Sequence, residues 1–477
     1  MTPDRLFIGG AWRASQSVDV VRSPWDGHET RIPRASPQDV DDAIAAAAAA
    51  ARGMAALPSH ARRELLARIA AGITARRDDL ARAIVSESGK PVTATKAEID
   101  RAAITFTLGA EESTRIAGEV IPVDLEPRAD GMQAYARRVA VGPIAAITPF
   151  NFPLNLAAHK IAPAFAAGCP VVLKPPPQAP GASQILAEIV EQAGAPAGAF
   201  SVVPCAAETA QRLVTDPRLK MLSFTGSARV GWTLKGLAGR KKITLELGGN
   251  AGVLIGADAD LATAAKKCAA ASFAQAGQIC IKVQRIFVEA PALDAFTKLF
   301  LDETAKLKTG DPSDPATSVG PLIDEAAAAR VESWVDEAIA HGARRLAGGP
   351  RTATPSGAKA LLPPTVLSGA RADDKVVCEE IFGPVTVVAP VASFSDGLAR
   401  LNDGDYGLQA GVFTRALAHA QAAFATLDVG AVLVNEVPTF RIDAMPYGGV
   451  KGSGFGREGV RYAIEEMTER KLWLLRS

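Results

Sequence analysis

Cysteine is scarce in this chain. Five residues in 477, Cys169, Cys205, Cys268, Cys280 and Cys378, are odd in number and far apart. That excludes a disulfide framework and the short paired spacings of a zinc site, and it implies a reducing, cytosolic setting. Long apolar runs are absent too: none reaches the ~18 residues of a membrane span, and the opening Met-Thr-Pro-Asp-Arg-Leu-Phe places charges where a secretory signal needs an apolar core. Nor is there an excess of one charge. Lysine plus arginine number 52 against 51 aspartate plus glutamate, a net charge of +1, which gives no electrostatic footprint for nucleic acid or an acidic membrane surface. The expectation is a cytoplasmic protein with a small, locally recognised partner, and no metal, nucleic acid or membrane.

What is present is enough chain for about three compact units, at a prior of roughly 150 residues per domain. The first hundred residues read as helical after a short entry. Ser36-Pro37 supplies an N-cap and a first-turn proline for an alanine-rich helix through Arg52, and a second long helix from near Ser59 should stop at Gly89, with Pro91 just beyond. Between Gly118 and Val141 the pattern turns extended and partly charged, as in a projecting hairpin. From Val139 on, β-rich runs alternate with helical stretches: Ala145–Thr148, Val171–Leu173, Ser201–Val203, Met221–Phe224 and Ile243–Leu245 predict a parallel, doubly wound sheet. The alternation restarts at Arg285–Val288 and runs through Val385–Val388, Gly411–Phe413 and Val432–Val434, which predicts a second α/β domain. No fixed-period repeat occurs, and Gly348–Pro364 reads as a long surface loop.

Two glycine motifs need separating. Gly454-Phe-Gly456-Arg-Glu-Gly459 matches the dinucleotide fingerprint by letters, but that fingerprint needs a preceding strand and an acidic residue about 20 positions on, and the chain ends at Ser477. It reads instead as a turn into the C-terminal helix. No Gly-x-x-x-x-Gly-Lys-[Ser/Thr] run occurs, which disfavours a P-loop nucleotidase. Phe224-Thr225-Gly226-Ser227, with Gly231 further on, follows a β-rich run and opens a helix whose free N–H groups can face a phosphate; the plainer reading is a strand-to-helix turn capped by Ser227. Lys174, before Pro175-Pro176-Pro177, lies at a strand's carboxyl end, where such sheets bind ligands, although most lysines are merely solvated.

Taken in order, Pro149-Phe-Asn151-Phe-Pro153, Lys174-Pro175, Phe-Thr-Gly226-Ser227 with Gly231, Glu246-Leu-Gly-Gly-Asn250, Gly277-Gln-Ile-Cys280 and Glu380-Ile-Phe382-Gly-Pro384 resemble the aldehyde dehydrogenase superfamily, from about Phe7 to the carboxyl end. The resemblance implies an α/β fold with a Rossmann-like cofactor domain (1–119 and 140–246), an α/β catalytic domain (247–445) and small β oligomerisation elements (120–139 and 465–477) that build a homodimer or homotetramer. It implies oxidation of an aldehyde to its carboxylic acid with NAD or NADP, through a cysteine thiohemiacetal and thioester. Cys280 is then the nucleophile, Asn151 with the Cys280 N–H the oxyanion donors, and Glu246 the base that activates water. Lys174, Gly226, Ser227 and Gly231 are assigned to the cofactor, Glu380 to its nicotinamide-side ribose, and Phe382 beside it. Without the resemblance, Cys280 reads as buried filler, Asn151 as a turn residue, Glu246 as half of a salt bridge and Glu379-Glu380 as a solvated pair. A CoA-acylating semialdehyde dehydrogenase is the first alternative, disfavoured by the presence of Glu246. A non-catalytic member of the fold is the second, and a cysteine hydrolase pairing Cys280 with His159 is weaker still.

The chain departs from the family pattern at several positions. Where many NAD-preferring relatives carry a glutamate after the lysine, this chain has Pro177, so NADP is expected to be used as well as NAD. Ile279 and Ile281 flank the nucleophile, and the arginine that often precedes it in enzymes for phosphorylated aldehydes is missing, which removes one anchor for an anionic substrate. His159 falls where apolar-aldehyde enzymes often have tryptophan, so a small polar aldehyde of the lactaldehyde or glyceraldehyde type is expected; a histidine satisfied inside the helix Leu156–Phe165 is the competing reading. Phe440 and Arg441 lie in the stretch that lines the substrate mouth in this family, and an Arg441–Asp443 surface pair competes with that role.

Overall fold

The computed structural model describes residues 5–476; Met1–Asp4 and Ser477, at the ends of the expected cofactor domain and oligomerisation element, lie outside the described residues. The short entry contains two antiparallel hairpins, Arg5–Ile8 with Ala11–Ala14 and Ser17–Arg22 with Glu29–Arg34. The first helix then starts as its sequence dictates. Ser36 Oγ accepts the Asp39 N–H at 3.2 Å, Asp39 Oδ2 accepts the Ser36 N–H at 2.8 Å, and Pro37 opens the helix Pro37–Ala56. The expected single helix from Ser59 to Gly89 is two, Ser59–Ala75 and Arg77–Ser88. No proline or glycine breaks it. Arg76 leaves helical geometry (φ −100°, ψ 20°) with its guanidinium between Asp79 and Glu188, a tertiary contact with no local signal. Gly89, at φ +67°, ends the second helix in the left-handed cap expected of it.

The first sheet runs, in spatial order, Ala11–Ala14, Arg5–Ile8, Phe200–Val202, Val171–Lys174, Ile144–Ile147, Met221–Thr225, Lys242–Glu246 and Gly454–Phe455. Its five central strands are parallel, and the order reverses between Ile144–Ile147 and Met221–Thr225. That reversal opens a crevice at the strands' carboxyl ends, the place where such sheets take ligands. Gly454–Phe455, part of the rejected fingerprint, closes the sheet antiparallel to Lys242–Glu246, and Gly459 at φ +92° leads into the helix Val460–Glu466. The helix Asn155–Ala167 crosses behind this sheet with every residue buried, so polar side chains at positions 159 and 160 must find partners inside the protein.

The second sheet runs Arg344–Ala347, Thr365–Ser368, Val385–Val391, Arg285–Glu289, Gly252–Ile255, Gln409–Phe413 and Ala431–Val434, all parallel except the first. The expected alternation began at Arg285; Gly252–Ile255, too short and too close to Glu246 to separate from the preceding strand, pairs at its centre. A third, antiparallel sheet joins Glu119–Ile121, Met132–Ala140 and Thr468–Arg476. Leu472 to Leu475 are exposed on it in succession, as in an edge built to meet another surface. Among the described residues, no helix is long and apolar enough to cross a membrane.

Candidate active site

The two large sheets meet around a cavity of about 380 Å³. Asn151, Glu246, Ile279, Cys280, Ile281, Glu380, Phe382, Arg441, Gly226 and Ser227 all line it, with Arg101 and Tyr447.

Asn151 is held by a buried ion pair. Lys90 Nζ contacts Glu98 Oε2 at 2.6 Å and donates to the Asn151 carbonyl at 3.1 Å, while Glu98 Oε1 accepts the N–H groups of Leu154 and Asn155 at 3.0 and 3.1 Å. The asparagine is therefore more than a turn residue: one amide N–H bonds the Gln278 carbonyl at 3.0 Å, which leaves the other free. Cys280 follows the strained run Gln275, Ala276 and Gly277, with φ of 51°, 53° and 69°. Only glycine fits at 277, where a Cβ would collide with the Gly383 carbonyl. Among the described residues the Cys280 N–H makes no hydrogen bond, so it and the spare Asn151 N–H are two unspent donors beside the sulfur. The sulfur lies 3.1 Å from Tyr447 Oη. Burial pushes the thiol up to about 12; Tyr447 and Arg441 oppose the rise, and the charges of Glu380 and Glu246 add to it.

Glu246 ends its strand 3% exposed with neither carboxylate oxygen hydrogen-bonded, and it forms no ion pair among the described residues. Burial, and then the neighbouring Glu458, hold its carboxyl well above the usual range; Arg441, Lys160 and Arg457 pull the other way. The salt bridge belongs to Glu458, which meets Lys160 at 2.8 Å; Lys160 also donates to Ser223 Oγ at 3.0 Å.

His159 does not line the cavity. It is 1% exposed and donates from Nε2 to Asp443 Oδ1 at 2.8 Å, kept neutral by burial and by Arg441. The histidine satisfied inside its helix is the correct reading, because its ring faces a carboxylate rather than the cavity. Asp443 also takes a forked contact from Arg101, 3.1 Å from Nε and 2.6 Å from Nη2. With Asp443 so occupied, the Arg441–Asp443 surface pair does not form. Arg441 instead lies 3.7 Å from the Tyr447 ring centroid with its Nε buried and unpartnered, and Glu458 is 3.8 Å from Nη2. Phe440, 42% exposed, points away from the cavity that its neighbours Thr439 and Arg441 line.

Glu380 is no solvated pair with Glu379. Its Oε1 accepts the Gly249 N–H at 2.9 Å, and burial raises its carboxyl to about 7. Phe382, at φ +47°, meets Phe150 edge-on at 6.0 Å. A second groove of about 560 Å³ shares Phe150, Thr225, Gly226 and Ser227 with the cavity and runs past Lys174, Pro177 and Gln211 along the crevice of the first sheet. Ser227 occupies the N-cap position of the helix Ala228–Leu237 but makes no side-chain capping bond, so the helix's leading N–H groups stay available to an anion. None of the groove's lining residues is acidic. Gly231 does not line it. It lets the helix pack onto Leu247, where a Cβ would sit 2.3 Å from a methyl carbon.

Sequence reasoning missed Arg101, Tyr447, Lys160, Glu458 and the Lys90–Glu98 pair. Two local signals were available: a lysine beside His159 in the otherwise apolar run Leu156–Ala167, and a glutamate inside a glycine turn.

The family model for the aldehyde dehydrogenase family matches residues 12–473. A 3-sulfolactaldehyde dehydrogenase of Priestia aryabhattai is 40% identical over 472 residues, 98% of this chain and 97% of that one. The crystal structure of aldehyde dehydrogenase 21 from Physcomitrella patens, in complex with the reaction product succinate, superposes with a TM-score of 0.96 at 39% identity, covering 99% of this chain and 98% of that one. Glyceraldehyde-3-phosphate dehydrogenase from Methanocaldococcus jannaschii, complexed with NADP, gives a TM-score of 0.92 at 36% identity over 97% of this chain and 100% of that one.

The unpartnered Glu246 makes a stability prediction. Its raised carboxyl keeps a proton in the fold that the unfolded chain has released above about pH 4.5, so stability is lost as pH rises through the folded value. Glu246→Gln should lose less stability over that rise. The difference in thermal midpoint, variant minus wild type, is expected to grow in the variant's favour from about pH 5 to pH 9. A difference that stays constant with pH would contradict it.

Proposed function

This chain belongs to the aldehyde dehydrogenase family, and from that premise we propose that it oxidises a short aldehyde whose far end carries a carboxylate or sulfonate. The enzyme is an NAD(P)-dependent aldehyde dehydrogenase acting on small polar aldehydes. The anionic preference rests on one observation: Arg441 lines the cavity with a buried, unpartnered Nε, and Arg101 lines it too. In a mostly apolar cavity, an unspent guanidinium donor favours a ligand that brings an anion. The arginine absent before Cys280 is thus replaced by Arg441, since Arg101 is already forked onto Asp443.

The residues suit a two-stage reaction. Cys280, as thiolate, bonds the carbonyl carbon, and the carbonyl electrons move to an oxygen received by the Asn151 amide and the Cys280 N–H. A bound NAD(P) would supply the hydride acceptor, and loss of hydride from this carbon leaves a thioester on Cys280. The groove past Lys174, the uncapped start of the helix at Ser227 and the Glu380 carboxylate fit such a dinucleotide. Glu246 takes a proton from the water that attacks the thioester; the carbon–sulfur bond breaks, releasing the acid and the thiolate. Its raised affinity for protons suits a base working near neutrality.

Three outcomes are expected. Glu246→Gln should give a burst of reduced cofactor near one per active site, followed by slow turnover; normal steady turnover would remove Glu246 from this role, and acyl-CoA formed by wild type on addition of CoA would favour the acylating alternative. Arg441→Gln should lower the kcat/KM ratio of a carboxylate-bearing aldehyde to a neutral one of equal length by roughly 10- to 100-fold; an unchanged ratio would reject the anionic preference. With no acid at position 177 to repel a 2'-phosphate, kcat/KM for NAD should exceed that for NADP by less than ~100-fold; a larger ratio would mean that another group excludes the phosphate.

A further inference from the structure

The proposed chemistry leaves Tyr447 unused, yet Tyr447 touches the nucleophile. Its Oη, 3.1 Å away, is the one hydrogen-bond partner of Cys280 Sγ among the described residues, and Sγ is the one partner of that hydroxyl. The ring is fixed on several sides. Arg441 lies over its face at 3.7 Å and Ile281 and Leu408 pack around it. Its backbone exchanges two hydrogen bonds with Glu458, 3.0 Å from the Tyr447 N–H and 2.6 Å to its carbonyl. Tyr447 itself is 4% exposed. A phenol held this way keeps its hydroxyl oxygen beside the sulfur.

We propose that Tyr447 is a catalytic residue whose O–H donates to the Cys280 thiolate, and that Arg441, stacked on the phenol ring, strengthens that donor. While the sulfur keeps its proton, either atom can donate to the other. Once the sulfur gives its proton to solvent or to a base, only the phenol can donate. The bond then becomes charge-assisted, about twice as strong as a neutral one, so it favours the thiolate over the thiol. A cation on the ring face draws electron density from the phenol and makes its hydrogen more positive.

The surroundings make such a donor necessary. The charges facing Cys280 are Glu380 and Glu246, which disfavour a thiolate, and Arg441, which favours it. Tyr447 faces Cys280, Glu246 and Arg441; burial first, and then the sulfur's charge, hold its own ionisation well above the usual range, so it keeps the proton it donates. The same arginine thereby serves the proposed anion contact and the nucleophile's donor.

The inference rests on the reading of Cys280 as nucleophile, and the experiment separates the two. Iodoacetamide alkylation of Cys280 in the full-length enzyme is followed by peptide mass spectrometry across the neutral-to-alkaline range, with exposed Cys378 as internal control. Tyr447→Phe is expected to move the midpoint for Cys280 up by about one pH unit and slow its alkylation at neutral pH by ~10-fold, leaving Cys378 unchanged. Replacing the protein's four tyrosines by 3-fluorotyrosine, a stronger donor, should move the midpoint down. Superimposable Cys280 profiles would overturn the proposal. If Tyr447→Phe does not fold, the fluorotyrosine enzyme decides alone, and an unmoved midpoint overturns it. Loss of aldehyde oxidation in step with Cys280 alkylation tests the nucleophile separately: activity that survives alkylation would reject that role whatever the midpoint does.

Discussion

Glu246 places a carboxylate at the end of a strand with both oxygens out of water and unbonded, and the rest of the site is arranged around the cost of keeping it there. A lone buried charge is costly enough that the group normally takes up a proton instead. Here a mixed cluster stands beside it: Lys160 paired to Glu458, Arg441 close to Glu458, and His159 and Arg101 sharing Asp443. The cluster's charges largely cancel, so Glu246 sits among formal charges without being neutralised by any one of them. Its proton affinity is set first by burial and next by Glu458, which suits the role of base proposed for it.

Cys280 and Asn151, the nucleophile and oxyanion donor proposed above, rely on stiffness instead. Three left-handed residues in succession deliver Cys280, and a buried lysine–glutamate pair pins the loop that carries Asn151. Neither device bonds the reacting atoms. Both remove freedom from the groups that do, so little reorganisation remains when charge develops on the carbonyl oxygen.

Much of this was legible in the sequence, and the unread parts share a cause. Parallel strands such as Val171–Lys174 and Met221–Thr225 announce themselves as short apolar runs between turns, and Ser36 to Asp39 is a local code for a helix start. Cys280, Asn151, Glu246 and Glu380 stood in recognisable motifs, and all four line one cavity. What could not be read depends on contacts between distant residues. Arg101 and Asp443 are 342 positions apart, and Asp443, so engaged, holds the His159 ring and leaves Arg441 to meet Tyr447, His159 and Glu458 instead. The break at Arg76 is set by Glu188, 112 positions on. At Gly231 the packing is the part that could not be read: the close approach that requires a glycine is to Leu247.

The Lys160–Glu458 pair has a consequence in time as well as in space. Lys160 occupies the middle of the most enclosed helix, and its partner comes 298 residues later. Until that stretch has been synthesised, the Lys160 ammonium lacks its carboxylate partner, and burying it unpaired would be strongly destabilising. The glutamate that completes the pair belongs to the segment whose Tyr447 and Arg441 close the cavity. The early core and the cavity therefore draw on the same late stretch of sequence.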